Sequence, residues 1–378
     1  MNKRQFFGLS VVIGIVLFSV IVWKSDIFAI ITIFRNISFP KLALYLFVSL
    51  GILSLLVLRW QLILRVEGHD VPFTKLFLYK LSGYSVSYIM PTMHVGGSPV
   101  RALLLQKQNI SIEKGACSVI LDESLEFSAD LIIAAIGFFV ILFEYAIPLS
   151  AIILMSIIIL FALLILTRFF FLNFRGTGSF SSTIRFFSLD KIDFIRKIKS
   201  SIKRIEFHII DFLKNHREEF FISSFISIGL WFLMFVEYDL ALSLFGYHAQ
   251  IQEIFLILAF VALAYLVPIP AALGVLEAAQ ISVFTILGLN VSLAIALSLL
   301  IRGRDLLWTF IGIVYASHEG LDLLKIENKN EDKNEIESKE FQNTAKSKSE
   351  IKSENKNKIE RKSKFVKVIR KSSKKEDR

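Results

Sequence analysis

Three stretches of this chain run for the width of a bilayer without a charge. Phe6 to Trp23 is eighteen residues, Leu42 to Leu58 seventeen and Ala146 to Thr167 twenty-two. A helix needs roughly 20 apolar residues to cross the hydrocarbon core. No water is available there to satisfy a bare backbone, so only helices and closed barrels can cross. Barrel strands are short and alternate in polarity, whereas these runs are long and uniform. The composition agrees: 54% of residues are hydrophobic and 20% charged, with a mean hydropathy of +0.61. A soluble protein of this length, which must cover its surface with polar side chains, rarely has that ratio. The fold class expected is therefore all-α, a polytopic helical membrane bundle.

The spacing predicts plain spans at about 6–23, 42–60, 118–143, 146–167, 221–241, 251–268 and 291–316. Lys3 and Arg4 precede the first run, as in a signal peptide. No small-x-small cleavage site follows near Trp23, and further spans come after it, so it reads as a span. Two less regular segments lie at about 76–106 and 268–288. If the first dips in and returns to one side and the second completes a crossing, the total is about eight.

Lys and Arg in short flanks set orientation. Lys3, Arg4, Arg59, Arg65, Lys75, Lys80, Arg101, Lys107 and Lys114 mark one side, and the turns 143–148 and 245–250 carry no basic residue. The amino terminus and the tail are thereby expected in the cytoplasm, and the protein in the plasma membrane. The loop 24–41 is expected outside, although it carries Lys24, Arg35 and Lys41.

Residues 168–220 form a basic connector within a membrane domain over 1–320. Ile192, Ile195, Ile198, Ile202, Ile205, Ile209 and Phe212 recur every three or four residues, with Arg196, Lys197, Lys203 and Arg204 on other faces. That pattern is an amphipathic helix suited to the headgroup layer. It would either bind anionic lipid or rest on the leaflet and join two bundle halves. The tail, 321–378, is polar and expected to be disordered. From Lys325 onward 18 Lys and Arg face 11 Asp and Glu, a surplus of seven in a total of +10. Nothing in it resembles a nucleic-acid recognition module.

Polar residues inside apolar segments need a partner, water or a role. In the stretch 89–108, Pro91 breaks a helix, and Gly96 and Gly97 permit a turn. Ser98 is expected to cap a new helix with Pro99 in its first turn, and Arg101 follows. A helix start inside the protein favours an anion, and Arg101 would add a two-pronged phosphate donor. A cytoplasmic turn with Arg101 reaching water is the structural alternative. His94 is expected to pack rather than ligate. The second break runs from Pro268 through Pro270 and Gly274 to Glu277, with the charge reversed. Paired breaks in two halves of a membrane chain point to a site between them, where Arg101 and Glu277 would pair or line one cavity. A buried network is expected from Asp122, Glu123, Glu126 and Asp130 in one helix with Arg302, Arg304 and Asp305 in another.

These residues carry a resemblance. Gly96-Gly97-Ser98-Pro99-Val100-Arg101-Ala102 resembles the Gly-Gly-Glu-Pro-x-Arg-Ala motif of the lysylphosphatidylglycerol-synthase transmembrane family, also called flippase-like or UPF0104. Ser98 stands in place of the usual acid. Glu123 matches the family's Glu-Arg pair, with Ser124 replacing the arginine. Pro270, Gly274, Glu277 and Ala278 match Pro-x-x-x-Gly-x-x-Glu-Ala, and Arg302 or Arg304 stands for the arginine of the last helix. The resemblance covers about 6–320. It implies movement of a charged or glycosylated lipid between leaflets, without the soluble carboxy-terminal domain that makes the lipid in the synthases.

The leading expectation is thus a translocator of a phospholipid or polyprenyl-linked lipid. Alternatives are an intramembrane lipid-modifying transferase, and an accessory subunit of a partner synthase or glycosyltransferase. No metal or cofactor is expected: Cys117 is the one cysteine, and no two of the six histidines have ligand spacing. There is no Gly-x-x-x-x-Gly-Lys-Ser/Thr phosphate loop either.

Overall fold

A computed structural model describes residues 27–90, 96–144, 149–265 and 269–318, with Val267 and a few isolated positions between 16 and 23. Most of the first predicted span, with Pro91, His94, Pro268 and the tail from 319, lies outside the described residues. Residues 1–316 form one unit and 317–378 another. Only Ser317 and His318 of the second are described.

Every regular element described is helical. In chain order they are α1 (Ile27–Arg35), α2 (Phe39–Val66), α3 (Phe73–Ile89), α4 (Ser98–Leu105), α5 (Ile112–Glu144), α6 (Leu149–Arg175), α7 (Ser179–Phe186), α8 (Asp193–Asn215), α9 (Arg217–Leu244), α10 (Ile251–Tyr265) and α11 (Val275–Ile286). A last helix, α12, covers 291–318. Phe39–Val66, Ile152–Arg175 and Arg217–Leu244 are long and apolar enough to cross a membrane, and Ile251–Tyr265 and Pro270–Ile286 are shorter apolar segments. The protein is an all-α polytopic membrane protein. The loop expected at 24–41 holds α1.

Pro40 in the first turn of α2 gives up an N–H that the helix leaves unpaired anyway. Pro72 sets α3 off in the same way from just outside it. Helix α9 lies along α2, α10 pairs with α11, and α5 packs against α4, α8 and α10. One apolar core joins Tyr45, Trp231, Leu242, Leu256, Leu276, Phe284 and Leu297. Helix α6 stays at the edge, with Ile153, Leu154, Ile157, Leu160, Phe161 and Leu164 exposed. In a bilayer such a face meets acyl chains.

The predicted connector helix exists as α8, and its apolar ridge divides. Ile209, Phe212 and Leu213 are buried with Ile63, Cys117, Leu121 and Leu125, so that half docks on protein. Ile192 and Ile198 at the other end are exposed. His208 Nδ1 lies 3.1 Å from Glu67 in the turn after α2, and Lys114 Nζ donates to the Glu67 carbonyl at 3.3 Å. Burial pushes the Glu67 carboxyl above its usual range, opposed by His208 and then Lys114.

Glu206, buried on α8, does the work of a helix cap for α7. The Ser181 N–H donates to it at 2.7 Å, and the Ser181 hydroxyl donates to its other oxygen. Gly178, at φ +74°, leaves room where a Cβ would collide with that carboxylate. Replacing Glu206 with alanine should cost about 1–2 kcal/mol of local stability, the size of a lost cap. Hydrogen exchange of the amides in α7 checks it: their exchange should quicken by about tenfold.

Candidate functional site

The first break is built by close approach. Gly97 ends the turn as the N-cap of α4, and its N–H donates to Ser87 Oγ on α3 at 2.8 Å. A Cβ on Gly97 would fall on the Gly83 backbone, and one on Gly83 would meet Arg101 Cγ at 2.6 Å. Gly96, beside it, is half-buried. Ser98 does not cap α4 as expected. It is the first helical residue, and its hydroxyl donates instead to Glu123 on α5. Pro99 does sit in the first turn.

Arg101 is buried and stacks over Trp60 at 4.2 Å. Its Nη2 lies 2.6 Å from Asp122 Oδ2, and its Nη1 lies 3.7 Å from Glu123. Its Nε has no hydrogen-bond partner among the described residues. Asp122, wholly buried, also receives Arg59 Nε at 2.8 Å and Lys80 Nζ at 2.8 Å. Arg59 continues to Glu126 at 2.9 Å and donates to Ser227 Oγ on α9 at 2.9 Å. Three cations from α2, α3 and α4 thus meet three carboxylates from one face of α5. A buried charge is tolerable only when paired in this manner. Asp130, two turns beyond Glu123, reaches the region of Trp231.

The second break is built by strain and a clamp. Ala271 and Ala272 sit at φ 53° and 45°, and Gly274 at φ 76°. Left-handed alanines cost about 1–2 kcal/mol each, so something must hold them. Arg302 on α12 does: its Nη1 and Nη2 donate to the carbonyls of Ala271 and Ala272 at 3.0 and 3.2 Å. The same guanidinium pairs with Glu277, whose Oε2 takes Arg302 Nη2 at 2.8 Å and the Gly274 N–H at 2.9 Å. The side chain of Glu277 thereby fills the anion position that the N-terminus of α11 offers.

A third cluster joins α12 to α9 and α10. Arg304 Nη1 lies 2.6 Å from Glu237 Oε1, and its Nη2 lies 2.8 Å from Asp305 Oδ1. The Tyr265 hydroxyl donates to Asp305 at 3.1 Å. Here two carboxylates share one arginine.

Arg101 and Glu277 do not pair: each has its own partner. Nor do the acids of α5 pair with Arg302 and Arg304. Their cations are Arg59, Lys80 and Arg101, the first two of which the positive-flank reasoning used as markers of the cytoplasmic side. Both are buried. The signal that could have found them is the apolar sequence on either side, as in LLVLRWQLIL for Arg59. Glu237, Asp122 and Tyr265 are the other members that the expected network lacked or did not centre on. The two breaks still come together. The end of α3 meets the turn at Pro270–Ala272, and Ser87, Met90, Tyr265, Val267, Ile269, Ala271 and Ala272 line a cleft with space for about one water-sized sphere.

Buried ion clusters at two helix breaks define a class: a polytopic membrane protein with a charged interior. Residues 6–312 match the family described as the lysylphosphatidylglycerol synthase TM region. The chain belongs to that family. It is 25% identical over 316 residues to a UPF0104 membrane protein of Pyrococcus horikoshii, covering 78% of this chain and 91% of that one. It is 24% identical over 260 residues to a UPF0104 membrane protein of Methanothermobacter thermautotrophicus, covering 66% and 77%. The family ties the chain to lipid-handling, flippase-like membrane proteins.

Proposed function

We propose that the protein moves a lipid with a charged or glycosylated headgroup between leaflets. The observation that carries this reading is the meeting of two helix breaks, each held by buried charge, at one small cleft. A phosphate entering beside α4 would compete with Asp122 and Glu123 for Arg101. Ser98 and the unengaged Arg101 Nε would join in holding it. A cationic or hydroxyl-bearing end would find Tyr265 and the carboxylate excess at Glu237 and Asp305. The Glu277–Arg302 clamp would keep the second turn formed while the cleft widens toward either side. Eight crossings, with 76–106 returning to its side of entry and the amino terminus and tail in the cytoplasm, complete the arrangement. The remaining flank cations Arg65, Lys75, Lys107 and Lys114 support that orientation.

Headgroup accessibility in vesicles reconstituted with the purified full chain tests the reading, with lysyl-phosphatidylglycerol and a neutral lipid compared. Arg101→Ala should slow transfer about tenfold or more, the loss of a charge-assisted contact. Glu277→Ala should do the same by releasing the clamp. An unchanged leaflet distribution together with a covalently altered lipid would replace the translocator by a transferase. Transfer at full rate in both variants would refute the site.

A further inference from the structure

We infer that the hairpin between α6 and α8 is a lipid-surface contact that seats anionic phospholipid headgroups, away from the cleft and regardless of whether lipid crosses there. The apolar span 152–175 ends at Arg175. Gly176 and Gly178, at φ +82° and +74°, then reverse the chain into α7. The reversal carries Phe186 back beside the span, with the guanidinium of Arg168 6.0 Å from its ring. Arg168 lies seven residues before Arg175, about 10 Å along the helix. Phe186 is therefore level with the last two turns of a membrane helix rather than beyond its end. Phe186 is 75% exposed and Phe187 63%, a waste of apolar surface in water but not at an acyl boundary.

The charges around them fit an anionic leaflet. Arg168, Arg175, Arg185 and Lys191 are exposed on this hairpin and the adjoining end of α6, against one acid, Asp190. Arg175 lies 4.1 Å over the Phe171 ring, and Phe171 and Phe174 are themselves exposed. Aromatic rings at the boundary with basic tips among phosphates is the chemistry of interfacial anchors. The occupant is thus an anionic phospholipid headgroup layer. It engages the hairpin, while the C-terminal half of the α8 ridge is committed to protein.

Cys117 is buried, so a Cys117→Ala background accepts one spin label at Phe187→Cys in the full chain. In nanodiscs containing phosphatidylglycerol, the label should collide more with oxygen than with a nickel chelate. Native mass spectrometry should show phosphatidylglycerol retained over phosphatidylcholine, and Arg185→Gln with Lys191→Gln should cut that preference about fivefold or more. A label that meets nickel more than oxygen would overturn the inference. So would a label shielded from both, which would mean a protein partner, or equal retention of the two lipids. Phe186→Cys supplies the second label position if the first variant does not fold.

Discussion

Replacing Asp122 with alanine should unfold this protein more readily than any other single charge removal. Asp122 is wholly buried, and three cations reach it within 2.8 Å: Arg59, Lys80 and Arg101. Without it the cluster carries three cations and two carboxylates. The remaining contacts do not close the gap, since Lys80 lies 3.6 Å from Glu126 and Arg101 lies 3.7 Å from Glu123. Breaking one buried pair costs about 3–5 kcal/mol, chiefly because a charge is stranded. A loss at the upper end of that range is expected, read as a fall in detergent or thermal unfolding midpoint. Arg59→Ala should come next, for it takes from Asp122 one of its three cations and from Glu126 the nearer of its two, and leaves Ser227 without its donor. Arg101→Ala should be mildest, because Asp122 keeps Arg59 and Lys80. The double variant lacking both Arg59 and Asp122 should be less damaged than the sum of the two, since each partner's loss relieves the other. If Arg101→Ala were the most destabilising of the three, the cluster would not be centred on Asp122. That ordering also matters for the transport test, because Arg101→Ala must fold for its slow transfer to mean anything.

The helices were legible because hydrocarbon leaves the backbone few choices. Long apolar runs at 42–58 and 146–167 became α2 and α6, whose carboxy-terminal ends run on to Val66 and Arg175, since polar end turns remain helical. The ridge of α8 was equally plain, as period 3.6 depends only on which residues are apolar. What the ridge faces was not legible. Isoleucine suits acyl chains and a protein core alike, and only the docking of Phe212 and Leu213 beside Cys117 separates the two.

The breaks were legible for a related reason: proline and glycine act locally. Pairing is not local. Arg101 and Glu277 drew attention as opposite charges in equivalent settings, yet each found a nearer partner through a helix that sequence could not align with it. Arg59 shows the other limit. A basic residue near the end of a span satisfies the flank rule as readily as it satisfies a buried carboxylate, and one string of letters cannot distinguish them. Ser98 was misread because a serine before a proline is a good cap. The structure gives the cap position to Gly97, where a side chain has no room, and frees the Ser98 hydroxyl for Glu123.

That lack of room makes Gly97→Ala the second large expected effect. The added methyl would fall on the carbonyl, carbon and Cα of Gly83, which are backbone atoms in the interior of α3. A flexible side chain could swing away, but a helix backbone cannot without moving α3. Helix α3 is itself fixed on its other side, where Ser85 Oγ donates to the Thr309 carbonyl at 2.9 Å and a Cβ on Gly312 would strike Leu81 and Ser85. Overpacking of this kind costs about 1–3 kcal/mol where neighbours can adjust, and here they cannot, so the upper figure is a floor. The α3–α4 contact should open, the Ser87 bond to the Gly97 N–H should be lost, and Arg101 should leave its place over Trp60. Gly303→Ala is the matched control, since its added methyl meets nothing within 4 Å and alanine favours a helix over glycine by about 1 kcal/mol. Unfolding midpoints of the two variants in one detergent should therefore move in opposite directions. A Gly97→Ala protein as stable as its parent would mean that α3 and α4 do not touch through these glycines.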